Sequence, residues 1–143
     1  MSDPTRDDFR YFTSIHTRWM DNDIYGHINN VQYYSYFDTV VNHYLIHQGG
    51  LDIHRAAVIG VAIESKCTYR KPLAYPDIIE AGVRVEHLGN SSVRYGVGIF
   101  RQDDRDAAAF GYFVHVFVER HEMDKVPIPA PIRAALERIQ TAS

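Results

Sequence analysis

Two carboxylates, an imidazole and a glycine sit close together in Asp21-Asn22-Asp23-Ile24-Tyr25-Gly26-His27, directly ahead of the longest amphipathic stretch of the chain. An aspartate held near a helix start can act as a general base on water or attack an activated carbonyl itself. Backbone N–H groups of the Gly26 turn or of the helix start would then polarise the carbonyl oxygen. Glycine at position 26 lets a substrate approach bare main chain. The competing reading is that Asp21 and Asp23 only cap a turn, and residue chemistry alone leaves both open.

Other chemistries fit less well. Asp21, Asp23 and Gly26 follow the opening of a calcium loop, but Tyr25 and Gln32 stand where that loop needs an oxygen-rich residue and a bidentate glutamate. The 8 histidines are scattered and form no zinc-ligand spacing, so no metal is expected. No G-x-S-x-G elbow is present, and Cys67, the 1 cysteine, lies inside a strand pattern that favours packing over nucleophilic attack. A net charge of -3 with no run of Lys or Arg argues against nucleic acid. The absence of an apolar leader, of a spanning segment and of paired cysteines leads to the expectation of a cytoplasmic protein with no membrane partner.

The loop must be positioned by flanking elements. Residues 1–8 are polar and aperiodic, which predicts a loose terminus, with one domain over 9–143. Aromatic and β-branched residues from Phe9 to Trp19 predict a strand. Asn29 followed by Gln32 predicts a capped helix from about Asn30, ended by Gly49-Gly50. Tyr34, Phe37, Val41, Tyr44 and Leu45 recur at helical spacing, and Tyr33, Tyr36 and Val40 add a second stripe. From Ala57 the period becomes two, placing Val61, Ile63, Ser65, Cys67 and Tyr69 on one face and Glu64 on the other. Strands over Ile78–Leu88, Ser92–Arg101 and Ala107–Arg120 follow, with hairpin turns at Gly89-Asn90-Ser91 and Gln102–Asp106. A short helix carries Ile132, Leu136 and Ile139. Hairpin-linked strands pair antiparallel, and the one long helix is the only element able to cover them. The fold class is therefore α+β, with a five-stranded curled antiparallel sheet wrapped around the helix. The sheet's uncovered face and edges call for a second copy of the chain.

Beyond the loop, further residues fall into a pattern. Arg18-Trp19, Asp21-x-Asp23, Gly26-His27-Ile28-Asn29-Asn30, Tyr33 and Phe37-Asp38 lead. Arg70-Lys71-Pro72-Leu73, Gly89-Asn90-Ser91-Ser92, His115-Val116-Phe117-Val118 and Ile128-Pro129 follow. With these the chain resembles the acyl-CoA thioesterases of the hotdog fold, specifically the 4-hydroxybenzoyl-CoA thioesterase family, over nearly its whole length. The resemblance implies hydrolysis of an acyl-CoA thioester, with coenzyme A part of the substrate and no separate cofactor. It implies Asp23 as the catalytic carboxylate, supported by Gly26, His27, Asn30 and Tyr33, with Asp21 a structural turn residue. Histidine at position 27 departs from the founding type and resembles the fatty-acyl and broad-specificity branch, which leaves the acyl group open. A homodimer or homotetramer is expected. Two other functions are carried alongside: an acyl-binding hotdog domain without turnover, and a thioesterase for carrier-protein-bound acyl groups. Arg70, Lys71, Arg94 and Arg120 are candidates for the coenzyme A phosphates. Tyr33, Tyr34, Tyr36 and Phe37 are candidates for an acyl slot or for the core.

Overall fold

Apolar alternation and hairpin punctuation translate into five strands, which form a single antiparallel sheet in a computed structural model describing residues 3–141. The elements are β1 (Tyr11–His16), α1 (Asn30–Gly49), β2 (Val58–Tyr69), β3 (Ile78–Leu88), β4 (Ser92–Arg101), β5 (Ala109–Glu119) and α2 (Ala130–Arg138). Their order across the sheet is β1-β3-β4-β5-β2, so β2 lies at an edge beside β5, and β1 closes the opposite edge beside β3. This is the predicted hotdog arrangement of a curled sheet around one long helix.

The helix forms where its caps allow. The Asn29 side chain accepts from the Val31 N–H at 3.2 Å, and Gly50 leaves the helix with φ +70°, a conformation that costs glycine little. Between these caps Tyr33, Tyr36, Phe37, Val40, Val41, Tyr44 and Leu45 are buried against Val85, Val93, Tyr95, Val97, Ile99, Phe113 and Phe117 of the sheet. Each large apolar side chain so buried stabilises the fold by about 1.5–3 kcal/mol. Helix α2 adds Ile132, Ala135 and Leu136 to the same core. None of the helices over the described residues is long and apolar enough to cross a membrane.

Two expectations are corrected. Met1 and Ser2 lie outside the described residues, but 3–8 are not loose. Thr5 bridges to Asp106, the Arg6 guanidinium holds Glu80 at 2.8 Å and the Asp104 carbonyl, and Asp3 pairs with Arg70 at 2.7 Å. This segment carries Phe9 onto the outer face of the sheet against Phe12 and Phe100, over Gly98, where a Cβ would stand 2.6 Å from the Phe9 ring. The second correction concerns β2. Its register with β5 shifts between Ala62 and Glu64, a bulge at Ile63. Directly paired residues share a face, so Val58, Gly60 and Ala62 lie on the same side as Ser65, Cys67 and Tyr69. Ile63 is left 61% exposed, and Glu64 points outward to accept from the Tyr112 hydroxyl at 2.8 Å.

The sheet pairing forces a histidine into the core. His115 on β5 is 2% exposed, rests its Nδ1 3.2 Å from the Tyr95 hydroxyl, and is ringed by Tyr95, Phe113 and Phe117. Burial pulls its imidazole down to about 4. The folded state therefore keeps His115 neutral at a pH where the unfolded chain already takes up a proton. Its contribution is complete above about pH 6.5 and is lost as the pH falls toward 4, by up to about 3 kcal/mol. Urea unfolding of the wild type at several pH values, set beside His115→Phe, is expected to show this slope only in the wild type.

Candidate active site

The loop between β1 and α1 is held by a small antiparallel bridge of Asn22 with Ile28. In it the Asp23 N–H donates to the His27 carbonyl and the Asn29 N–H to the Asp21 carbonyl, each at 2.9 Å. The two aspartates have opposite fates because Asp21 ends a short 3-10 turn (Trp19–Asp21) whereas Asp23 opens the turn that Gly26 closes. Asp21 is 1% exposed. Its Oδ2 accepts from the Arg18 N–H and the Tyr36 hydroxyl, both at 2.9 Å, and its Oδ1 accepts from Arg18 Nε and Nη2 at 3.0 and 2.8 Å. Burial opposes its ionisation, but the bonds from Arg18 and Tyr36 outweigh that and hold the carboxyl below its ordinary value. Burial, and after it the same contact, raises the Tyr36 hydroxyl. A carboxylate so fully engaged is a structural anchor.

Asp23 is half-buried and faces a cleft. Its Oδ1 accepts from the Tyr25 N–H at 2.9 Å, while Oδ2 has no hydrogen-bond partner among the described residues. One oxygen of Asp23 thus caps the turn and the other is left uncommitted. The turn itself closes by the Gly26 N–H donating to the Asp23 carbonyl at 3.1 Å, with Gly26 at φ +82°. That bond removes the Gly26 N–H from service toward a substrate. The backbone N–H groups of His27 and Asn30 have no acceptor among the described residues, and Asn30 opens α1, where the helix dipole favours a developing negative charge.

The cleft has a volume of about 370 Å³, and Asp23, His27, Asn30 and Tyr33 all line it. Gly26 instead lines a neighbouring cleft that shares Asp23. Tyr69, at the end of β2, was not singled out by sequence. Its hydroxyl donates to the Asn30 carbonyl at 3.2 Å, tying the edge strand to the helix start across the cleft. Its strand position and aromatic type carried no signal of this, because the contact spans two elements far apart in sequence. Tyr33 is buried, and that burial, with Cys67 beside it, pushes its hydroxyl up to about 12. Burial likewise holds the Cys67 thiol near 11. Both stay protonated at neutral pH, which leaves neither as a base or nucleophile.

The remaining candidates separate by location. Arg70 and Lys71 line the Asp23 cleft, each against an acidic partner, Asp3 at 2.7 Å and Asp104 at 3.7 Å. Arg94 stacks over Tyr112 and pairs with Glu86 on the outer face of the sheet, and Arg120 donates to the Ala56 and Ile53 carbonyls. Neither of these lines the cleft. Phe37 is core, Tyr36 holds Asp21, and Tyr34 is partly exposed. The Gly89–Ser92 turn packs on α2, where its carbonyls accept from Arg133, and within this chain it does not line the cleft.

A family model described as the thioesterase superfamily matches residues 25–108, more than half of the chain. The chain belongs to the thioesterase superfamily. The crystal structure of a protein from Pseudomonas aeruginosa strain PAO1 is similar to it at 51% identity and a TM-score of 0.97, over 99% of both chains. A second Pseudomonas aeruginosa protein, provisionally named a thioesterase, matches at 30% identity and a TM-score of 0.82, over 87% of this chain and 96% of that one. A 1,4-dihydroxy-2-naphthoyl-CoA thioesterase from Synechocystis shares the fold at 14% identity and a TM-score of 0.79, over 88% of this chain and 94% of that one. The superfamily match takes in Gly26, His27, Asn30 and Tyr33, while Asp23 stands two residues ahead of it.

Proposed function

We propose that this member of the thioesterase superfamily hydrolyses acyl-CoA thioesters at the Asp23 cleft. The observation that carries the reading is the uncommitted oxygen of Asp23, which lines a cleft together with His27 and Asn30, whose backbone N–H groups have no acceptor among the described residues. Superfamily membership supports the reaction class, and Arg70 and Lys71 in the same cleft suit the phosphates of coenzyme A.

In the simplest course Asp23 takes a proton from water as the water oxygen attacks the thioester carbonyl carbon. The carbonyl oxygen becomes an oxyanion, stabilised by the His27 and Asn30 N–H groups. The carbon–sulfur bond then breaks, the thiolate leaves and is protonated, and the products are a carboxylic acid and coenzyme A. In the alternative course the Asp23 carboxylate attacks the carbon itself, the thiolate leaves, and water hydrolyses the resulting anhydride. A thiolate is a good leaving group near neutral pH, so neither course demands a strong acid, and His27 serves to orient the loop or the thioester. Tyr33 supports the cleft from its buried side.

The unpaired outer edge of β2, with Ile63 exposed on it, suits pairing with β2 of a second copy and hence a homodimer, or a homotetramer built from two. The reaction is tested by thiol release from short, long and aromatic acyl-CoAs beside the same acyl groups on a carrier protein. Turnover of free acyl-CoA is expected. Turnover only of the carrier-bound esters overturns the coenzyme A assignment, and binding without release from either set overturns hydrolysis.

A further inference from the structure

Among the described residues, Asp23 alone lines both of two adjoining clefts. On one side are Tyr69, Arg70, Lys71 and Asn30, a polar wall with two cations. On the other is a cleft of about 500 Å³ walled by Trp19, Met20, Asn22, Ile24 and Gly26. Three large apolar side chains there stand open to solvent, Trp19 at 76%, Met20 at 71% and Ile24 at 92% exposed. Trp19 is held edge-on to Tyr75, with ring centroids 6.0 Å apart. Apolar side chains grouped around a reactive carboxylate mark a surface that something apolar covers.

We infer that the acyl part of the thioester lies in the Trp19–Met20–Ile24 cleft and the coenzyme A part along Arg70 and Lys71, so that the substrates of this chain carry aliphatic acyl groups. This deepens the acyl-CoA reading above and rests on it. The thioester carbon joins an apolar group to a polyanionic one, and Asp23 sits where an apolar wall meets a wall carrying Arg70 and Lys71, whose half-exposed ion pairs with Asp3 and Asp104 a phosphate would compete for. The placement therefore puts the scissile bond beside the carboxylate without further assumption. An aliphatic group fits better than a hydroxylated ring because the apolar cleft supplies few partners for a hydroxyl. Apart from Asp23 its one polar side chain is Asn22, whose Oδ1 already accepts from the Tyr75 N–H at 3.0 Å.

Trp19 is the 1 tryptophan of the chain, so intrinsic fluorescence reads this cleft directly. With Asp23→Asn to hold the ester uncleaved, butanoyl-, octanoyl- and dodecanoyl-CoA, 4-hydroxybenzoyl-CoA and coenzyme A alone are titrated. Affinity is expected to rise roughly three- to four-fold per added methylene until the cleft is filled. Trp19 emission is expected to move to the blue with dodecanoyl-CoA and stay unmoved with coenzyme A. Adding Ile24→Ser, at a position too exposed to threaten folding, is expected to flatten the series. An emission change as large with coenzyme A as with dodecanoyl-CoA overturns the assignment. So does an emission that follows protein concentration and ignores acyl length, the result if a second copy of the chain covers this wall. Thiol release by the wild type on the same esters keeps the two readings apart. Release without any dependence of Trp19 emission on acyl length sinks this inference alone, whereas no release from any ester sinks the acyl-CoA reading beneath it.

Discussion

Asp23→Asn is expected to lower kcat for thioester hydrolysis by roughly 10²–10⁴-fold, the range for a lost general base, while leaving the unfolding midpoint almost unchanged. The combination is what makes the variant informative. The structural duty of Asp23 falls on Oδ1, which accepts from the Tyr25 N–H at 2.9 Å, and an asparagine oxygen can keep that bond. What the amide cannot do is take a proton from water or attack a carbonyl. A variant with an intact melt and a large loss of turnover therefore separates chemistry from turn capping. Full turnover in Asp23→Asn contradicts the assignment, and so does a loss of turnover matched by a comparable loss of stability. Steady-state thiol release and a urea melt on one preparation decide between these results.

Asp21→Ala is expected to produce the opposite pattern, a destabilisation of about 3 kcal/mol. The substitution removes the acceptor of four hydrogen bonds, two from the Arg18 guanidinium, one from the Arg18 N–H and one from Tyr36. It strands the buried Tyr36 hydroxyl beneath the loop, whereas Arg18 is exposed enough to recover water, which keeps the loss at the lower end for a broken ion pair. The pH dependence follows from the direction of the shift. Because the folded carboxyl titrates below its ordinary value, its stabilisation is complete above the unfolded value of about 4 and is lost as the pH falls through the lower folded one. Urea unfolding of wild type and variant should differ fully at pH 7 and converge as the pH falls below the unfolded value of about 4. An undiminished difference in acid would show that something other than the ionised carboxylate is responsible. This window lies below the one assigned to His115, so the two groups are read independently.

Much of the architecture was legible in the residues. Gly89-Asn90-Ser91 and the alternation around it mark β3 and β4 to their ends, and Asn29 and Gly49-Gly50 mark both ends of α1, because these signals are local. The bulge at Ile63 was not legible. It arises from register against β5, some fifty residues further on, and it flips the alternation of the first half of β2, so that Val58, Gly60 and Ala62 rather than Ile59, Val61 and Ile63 share the side of Ser65, Cys67 and Tyr69. The N-terminal segment was misread for a similar reason, since the partners of Arg6 are Glu80 and Asp104. Within the loop, sequence identified two aspartates but no property of residue type distinguishes them. Burial does: Asp21, at the end of a 3-10 turn, lies beneath the loop against Arg18 and Tyr36, and Asp23, at the start of the Gly26 turn, lines the cleft. The donors were left open between the Gly26 turn and the helix start, and since turn closure takes the Gly26 N–H, those of His27 and Asn30 are the ones left without an acceptor among the described residues. The grouping of Asp23 with His27, Asn30 and Tyr33 was anticipated, whereas Tyr69 and the apolar wall of Trp19, Met20 and Ile24 became evident only with the chain folded.

The most direct test is a single turnover of an aliphatic acyl-CoA by excess protein in ¹⁸O-labelled water, with free thiol counted and the acid product weighed by mass spectrometry. The account predicts one thiol released per ester and one labelled oxygen incorporated, in the released acid if Asp23 activates water and in either the acid or the Asp23 carboxylate if Asp23 attacks directly, with both signals nearly absent over the same interval for Asp23→Asn. Intact ester after prolonged incubation, or equal release by the two proteins, contradicts it.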